Sequence, residues 1–446
     1  MTGAMIQLGT MMAKRMMAGL GAALLALAPA LAHAQADAAD ALDSGDTAFV
    51  LGMALLALAL LLPGIVLHHG GRLRAHAFAA LATETGAIAA IVSLLWVMVG
   101  YTLAFGTVTS GWLGSGNAWM LIDLANVRGA SAVPEIAFVL LQLGYLVCAA
   151  GLLTGAWAER GNVAWVVPFA GLWSLIVYAP LAHWIWCGGW LASRLGTVDA
   201  GGALVVHGSL GISALVITLL MGRRARFDET AETPGSVPGL GLAGTGMVWI
   251  ALLALGAGAT LAASDDAGTA LINGQVAAAA GALTWLVIEA MTTGKAHPAT
   301  LARGALAGLV AASGALGAMA PGAAMLAGLA GAVLGWIAMR LIRAAGIDDA
   351  ADLVAVHGVG GLAGAMLAAP LIAGTLGGTG YAEGMGPLRQ VIAQGLATGV
   401  VVAWSAIGTA IAALMVAMVV PMRIAEADET AGIDRASHGV DSWNLD

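Results

Sequence analysis

A chain of 446 residues that is 60% hydrophobic and 9% charged is not a soluble globular domain, in which about a quarter of the residues carry charge. It reads as an all-α polytopic membrane protein, because helices satisfy every backbone group internally where no water is at hand. A formal net charge of −8 argues against nucleic acid as a partner, and two cysteines, Cys148 and Cys187, offer no disulfide framework and no metal-ligand spacing.

Lys14 and Arg15 precede an apolar run, Met16 to Leu31, that ends in Ala32-His33-Ala34. A basic segment, an apolar stretch and a small-residue site in that order describe a secretory signal peptide, so residues 1–34 are expected to be removed. Eleven apolar windows follow, near 47–67, 79–105, 135–156, 163–186, 201–221, 240–262, 270–292, 301–319, 323–343, 352–373 and 393–419. Each is close to or above the ~20 residues that cross a bilayer. A transmembrane domain is therefore expected over 35–421, with a polar, acidic tail over 422–446.

The basic residues set an orientation. Arg72, Arg74, Arg160, Arg223, Arg224, Arg226, Lys295, Arg340, Arg343 and Arg423 fall on one side of an alternating topology, and Arg128, Arg194 and Arg389 on the other. Positive charge favours the cytoplasm, which puts the mature N-terminus outside and the C-terminus inside. His68, His69 and His76, beside Arg72 and Arg74, then read as part of a solvated cytoplasmic loop.

Two histidines stand out within the apolar windows. His207 lies in LVVHGSLG and His357 in LVAVHGVG, about 150 residues apart. A histidine in hydrocarbon needs a polar partner or a cavity, since an unsatisfied ring nitrogen there is costly. Windows one to five and six to ten each cross five times, so the second half is expected to be inverted relative to the first. His207 and His357 occupy equivalent windows, the fifth and the tenth, and so are expected to meet near the midplane of a 5+5 inverted repeat, with one helix left over.

Several stretches carry a resemblance. They are PGIVL at 63–67, LWVMVGYTLAFG at 95–106, GAWAER at 155–160, YAPLAHWIWCGG at 178–189, Asp199 with the GG and VVHG of 201–208, DLVAVHGVGGLAG at 352–364 and GIDRASHG at 432–439. In this order and spacing the chain resembles the ammonium transporter family (Amt/Mep/Rh), specifically its bacterial Amt branch, from about Asp46 to Trp443. The resemblance implies eleven helices in a homotrimer in the inner membrane, one pore per subunit, with no metal or cofactor. It also implies a docking face for a PII-type nitrogen regulatory protein on the tail and on the loops 222–238 and 344–351.

By the same resemblance His207 and His357 share a hydrogen bond and line a narrow apolar pore. Carrying a bare cation into low dielectric costs, in the idealised limit, on the order of 20 kcal/mol, whereas deprotonating ammonium near neutral pH costs far less. Imidazoles suit the acceptance and relay of that proton. Asp199, eight residues before His207 at the start of the fifth helix, is expected both to cap that helix and to favour a cation at the outer mouth. Trp186 matches the residue whose ring face receives ammonium, an attraction of ~0.5–2 kcal/mol.

The chain departs from the family pattern around that mouth. Leu141 and Tyr145 stand at the two pore phenylalanine positions; Leu255 replaces a phenylalanine and Ala259 a serine in the sixth helix. His68-His69 replace Phe-Tyr before Gly70-Gly71, and Arg303 stands where the family has a small residue; it is expected to snorkel toward the membrane surface. Leu and Ala take cation–π and hydroxyl contacts away from the mouth, each worth about 1 kcal/mol. The main expectation is an ammonium transporter that deprotonates its substrate. The alternatives are an ammonium sensor of the same fold with little flux, or a channel for another small neutral solute. No nucleophile–base set or phosphate loop suggests an enzyme.

Overall fold

The computed structural model describes residues 42–108, 111–116, 119–227, 237–440 and 442. The expected signal peptide lies outside them. Ten helices among the described residues are long and apolar enough to span a membrane. They are α1 (Ser44–Gly70), α2 (Ala75–Phe105), α3 (Glu135–Ala156), α4 (Val163–Leu195), α5 (Ala203–Met221), α6 (Pro238–Gly258), α7 (Asp265–Thr293), α9 (Pro321–Ala344), α10 (Val354–Leu371) and α11 (Pro387–Ala417). The window expected over 301–319 forms a shorter helix, α8 (Pro298–Ala312), which tightens into a 3-10 turn over Ser313–Ala315. Two short helices, α12 (Glu426–Ala431) and α13 (Ile433–His438), complete the order, and a small two-stranded ribbon, β1 (Thr107–Val108) with β2 (Gly114–Ser115), follows α2.

Local chemistry starts these helices where they start. Pro238, Pro298, Pro321 and Pro387 open α6, α8, α9 and α11 at the first positions, where the absent amide has no partner to lose. Asp43 and Asn162 cap α1 and α4 with side-chain oxygens. Small residues then allow close crossings: a Cβ added at Gly281 of α7 would lie 2.3 Å from the Gly304 carbonyl of α8.

Arginines expected on one side of the chain do meet at one end of the bundle. Arg160 and Arg224 both hold Asp348, each at 2.8 Å, and Arg224 also reaches Glu159 at 3.2 Å. Burial pushes the Asp348 carboxyl up, but the two guanidiniums outweigh it and hold it below its usual range. The tail folds back onto the same end. Glu429 accepts the Ala225 amide at 2.6 Å and pairs with Arg423 at 2.5 Å. Asp434 accepts the Ala79 and Ala80 amides at 3.1 and 2.8 Å, capping the first turn of α2.

Two expectations fail here. His68 and His69 are not in a solvated loop: α1 runs one turn past its expected end, and both rings are buried, at 1% and 0% exposure. His76 alone of the three is exposed. Arg303 does not snorkel either. It is buried within α8, where its Nε donates to Asp352 Oδ2 at 2.7 Å.

Candidate functional site: a buried histidine pair between two unlike aspartate turns

His207 and His357 sit in wide, π-type turns, Ala203–Gly208 at the start of α5 and Val354–Val359 at the start of α10. Such turns break the regular hydrogen-bond ladder and are frequent at functional sites. The two helices cross with almost no side-chain volume between them: a Cβ added at Gly211 would lie 2.1 Å from Gly358 Cα. That close approach brings the imidazoles together. Their Nδ1 atoms are 3.1 Å apart, their centroids 5.1 Å, and the rings lie within 25° of parallel. One nitrogen must donate and the other accept, so the neutral pair shares a proton between its Nδ1 atoms. Both residues are 1% exposed, and no carboxylate hydrogen-bonds either ring among the described residues.

The turns leading to the two histidines are built alike. Eight residues before His207, the Asp199 Oδ2 accepts the Leu204 and Val205 amides at 3.0 and 2.9 Å. Eight residues before His357, Asp349 accepts the Leu353 and Val354 amides at 2.9 and 2.8 Å. Five residues before each histidine the backbone turns left-handed, at Gly202 (φ 87°) and Asp352 (φ 56°), conformations that glycine and aspartate tolerate best. Asp199 therefore caps α5 as expected. Asp349 and Asp352 were not singled out from sequence, although the repeated eight-residue spacing could have found the first.

Around Asp199 the remaining expected residues assemble into a single wall. Trp186 donates its indole N–H to the Asp199 backbone carbonyl at 2.6 Å. Its ring stands 5.1 Å from that of Tyr145. The Tyr145 hydroxyl crosses from α3 to α6 and donates to the Leu255 carbonyl at 2.9 Å, which also accepts the Ala259 amide at 3.0 Å. Leu141 and Leu255 are fully buried on the facing sides of these helices, where they pack against Gly258 and Gly144; Ala259, which ends α6, is half-buried. The Asp199 carboxylate bonds only backbone amides, and its Oδ1 has no partner among the described residues. Burial pushes this carboxyl up to about 7 against those amide bonds.

At the other end, below His357, the carboxylate is heavily paired. Asp352 bonds Arg72 and Arg303 together, and Arg72 reaches His68 at 3.2 Å. The Arg303 and Arg72 charges outweigh burial at Asp352 and hold its carboxyl low, whereas burial and the Asp352 charge push Asp349 up to about 7.

Comparison with known proteins identifies a family. Residues 48–442 match the model of the Ammonium Transporter Family. The chain is 32% identical to an ammonium transporter of Aquifex aeolicus over 91% of this chain and 94% of that protein. It is 33% identical to an ammonium transporter of Bacillus subtilis over 89% and 98%. Among solved structures it is similar to the Sensor Amt Protein, with a TM-score of 0.82, 26% identity, and 88% and 98% of the two chains covered. It is also similar to Candida albicans Mep2, with a TM-score of 0.79, 27% identity, and 92% and 94% covered. With a family match over nearly the whole described fold and the paired histidines at its centre, this chain belongs to the ammonium transporter family.

Proposed function

We propose that the protein recruits ammonium at the Asp199 mouth, deprotonates it, and conducts ammonia and a proton separately past His207 and His357. The observation that carries this is the Nδ1–Nδ1 contact of 3.1 Å between two rings buried in an apolar interior. A bare ammonium ion gains no counter-charge at that pair. A pair that shares one proton can instead accept another on one side and release it on the other. Asp199 supplies the negative charge for recruitment and Trp186 a ring face. Tyr145 takes over part of the polar lining lost at Leu255 and Ala259 by tying its hydroxyl to the Leu255 carbonyl.

The same reading includes eleven crossings as an inverted 5+5 repeat plus α11, in a homotrimer in a bacterial plasma membrane. The arginine-rich end then faces the cytoplasm, the mature N-terminus lies outside after removal of 1–34, and the folded tail offers a face to a PII-type partner. The like construction of the Asp199 and Asp349 turns supports the repeat. A second reading, an ammonium sensor with little flux, draws on the apolar Leu255 and Ala259 and on the similarity to the Sensor Amt Protein.

Ammonium-evoked current in proteoliposomes decides between them. A saturable current in the native chain that is lost, or made non-selective, in His207→Ala/His357→Ala supports transport. A native protein that binds ammonium and carries no current supports the sensor.

A further inference from the structure

The arginine-rich end of the bundle carries a cleft that takes no part in the chemistry of the histidine pair. It has about 140 Å³ of solvent-sized space, enough for several waters or one small polyatomic anion. Four stretches wall it: Arg74 and His76 at the turn from α1 into α2, Glu159 beyond α3, Arg226 beyond α5, and residues 429–433 where α12 passes into α13. The tail runs close to the first of these. A Cβ added at Gly432, where φ is 111°, would lie 2.9 Å from the Cβ of His76.

The two carboxylates of the cleft are already committed. Glu159 accepts the Arg74 amide at 2.9 Å and pairs with Arg224 at 3.2 Å. Glu429 accepts the Ala225 amide at 2.6 Å and pairs with Arg423 at 2.5 Å. Neither Arg224 nor Arg423 lines the cleft, and nor do Glu426 and Asp428, the other acids of α12. The basic groups that do line it are less committed. Arg74 Nε lies 3.5 Å from Glu159, and the terminal nitrogens of Arg74 make no hydrogen bond among the described residues. Arg226 and His76 are exposed and make neither a hydrogen bond nor an ion pair among the described residues.

We propose that this cleft binds a phosphate monoester, which ties the tail to the chain beyond α1 and α5. Guanidinium groups present paired donors that match phosphate oxygens, and His76 adds a ring nitrogen. A carboxylate offers two oxygens, whereas a phosphate monoester offers three and carries close to two negative charges near neutral pH, enough to engage all three groups. The monoester can belong to a soluble metabolite or to a lipid headgroup, since both present the same chemistry. A ligand held only when the tail is docked stabilises docking by mass action. The site stands whether or not the chain conducts ammonium.

Equilibrium dialysis of the full chain in detergent against radiolabelled inorganic phosphate, at constant ionic strength in chloride, tests for the site. The native chain should bind one phosphate per subunit. Arg226→Gln removes an exposed side chain with no partner to strand, and should weaken binding about tenfold or more, the worth of one charge-assisted hydrogen bond. Arg226→Lys, which keeps the charge, should retain much of the affinity, and Arg389→Gln, outside the cleft, should bind as the native chain does. Hydrogen exchange across 426–438 should slow with phosphate in the native chain and not in Arg226→Gln, a difference that a merely structural role for Arg226 does not give. Glycerol 3-phosphate and short-chain phosphatidate carry the same monoester without and with acyl chains. Equal competition by the two supports a soluble source, and stronger competition by phosphatidate a lipid one. No phosphate bound above the chloride background, or equal binding by the native chain and Arg226→Gln, overturns the site. Exchange in the tail that is unchanged with phosphate bound overturns its tie to the tail.

Discussion

The turns that deliver the two histidines have the same backbone and opposite electrostatics. Each places an aspartate eight residues upstream as a helix cap and a left-handed residue five upstream. At the Asp199 end the carboxylate is balanced by backbone dipoles alone, beside the faces of Trp186 and Tyr145. At the Asp352 end two arginines pair with the acid, and His68 accepts from one of them. Two turns of like backbone thus differ in charge through a few side chains.

The comparison breaks most visibly at Asp352. Replacing it by Ala leaves Arg72 and Arg303 buried without their shared acid, and stranding a buried ion pair partner costs about 3–5 kcal/mol. Thermal unfolding of Asp352→Ala in detergent should show a large loss, well beyond that of Asp199→Ala, for which loss of a cap costs about 0.5–2 kcal/mol. Similar losses at the two positions would mean that the two ends are not electrostatically different.

Asp199→Asn sharpens the same contrast, because Asn caps a helix about as well as Asp while carrying no charge. The fold should persist and ammonium-evoked current should fall by about tenfold or more, a difference of at least about 1.4 kcal/mol. The pH dependence follows from the carboxyl near 7. Ionisation is about nine-tenths complete at pH 8 and about one-tenth at pH 6, so recruitment rises with pH across this window. In Asp199→Asn that rise should vanish; a native current flat from pH 6 to 8 would remove Asp199 from recruitment. The smallest effect is expected at Tyr145→Phe, which loses one hydroxyl contact, about 0.5–1.5 kcal/mol, while the Leu255 carbonyl keeps the Ala259 amide.

The histidine pair and its aspartate were legible because membrane-interior polarity is rare and the two contexts match. The Asp352 end was not. One extra turn of α1 moves His68 and His69 from solvent into the core, and helix ends are the least certain part of any pattern. Arg303 finds its partner 49 residues away, a pairing that no periodicity encodes. Leu141, Tyr145, Leu255 and Ala259 were identified as positions, but the Tyr145 hydroxyl's choice of the Leu255 carbonyl depends on how α3 and α6 pack.

The central claim is that ammonium is split at His207 and His357 and does not pass whole. The most direct measurement is the ammonium-evoked current in ordinary and heavy water, referred to potassium current through an ionophore in the same vesicles. Proton transfer at the pair predicts a native current slowed in heavy water beyond the ionophore control. A current slowed no more than that control would mean that the cation crosses intact, which contradicts the account.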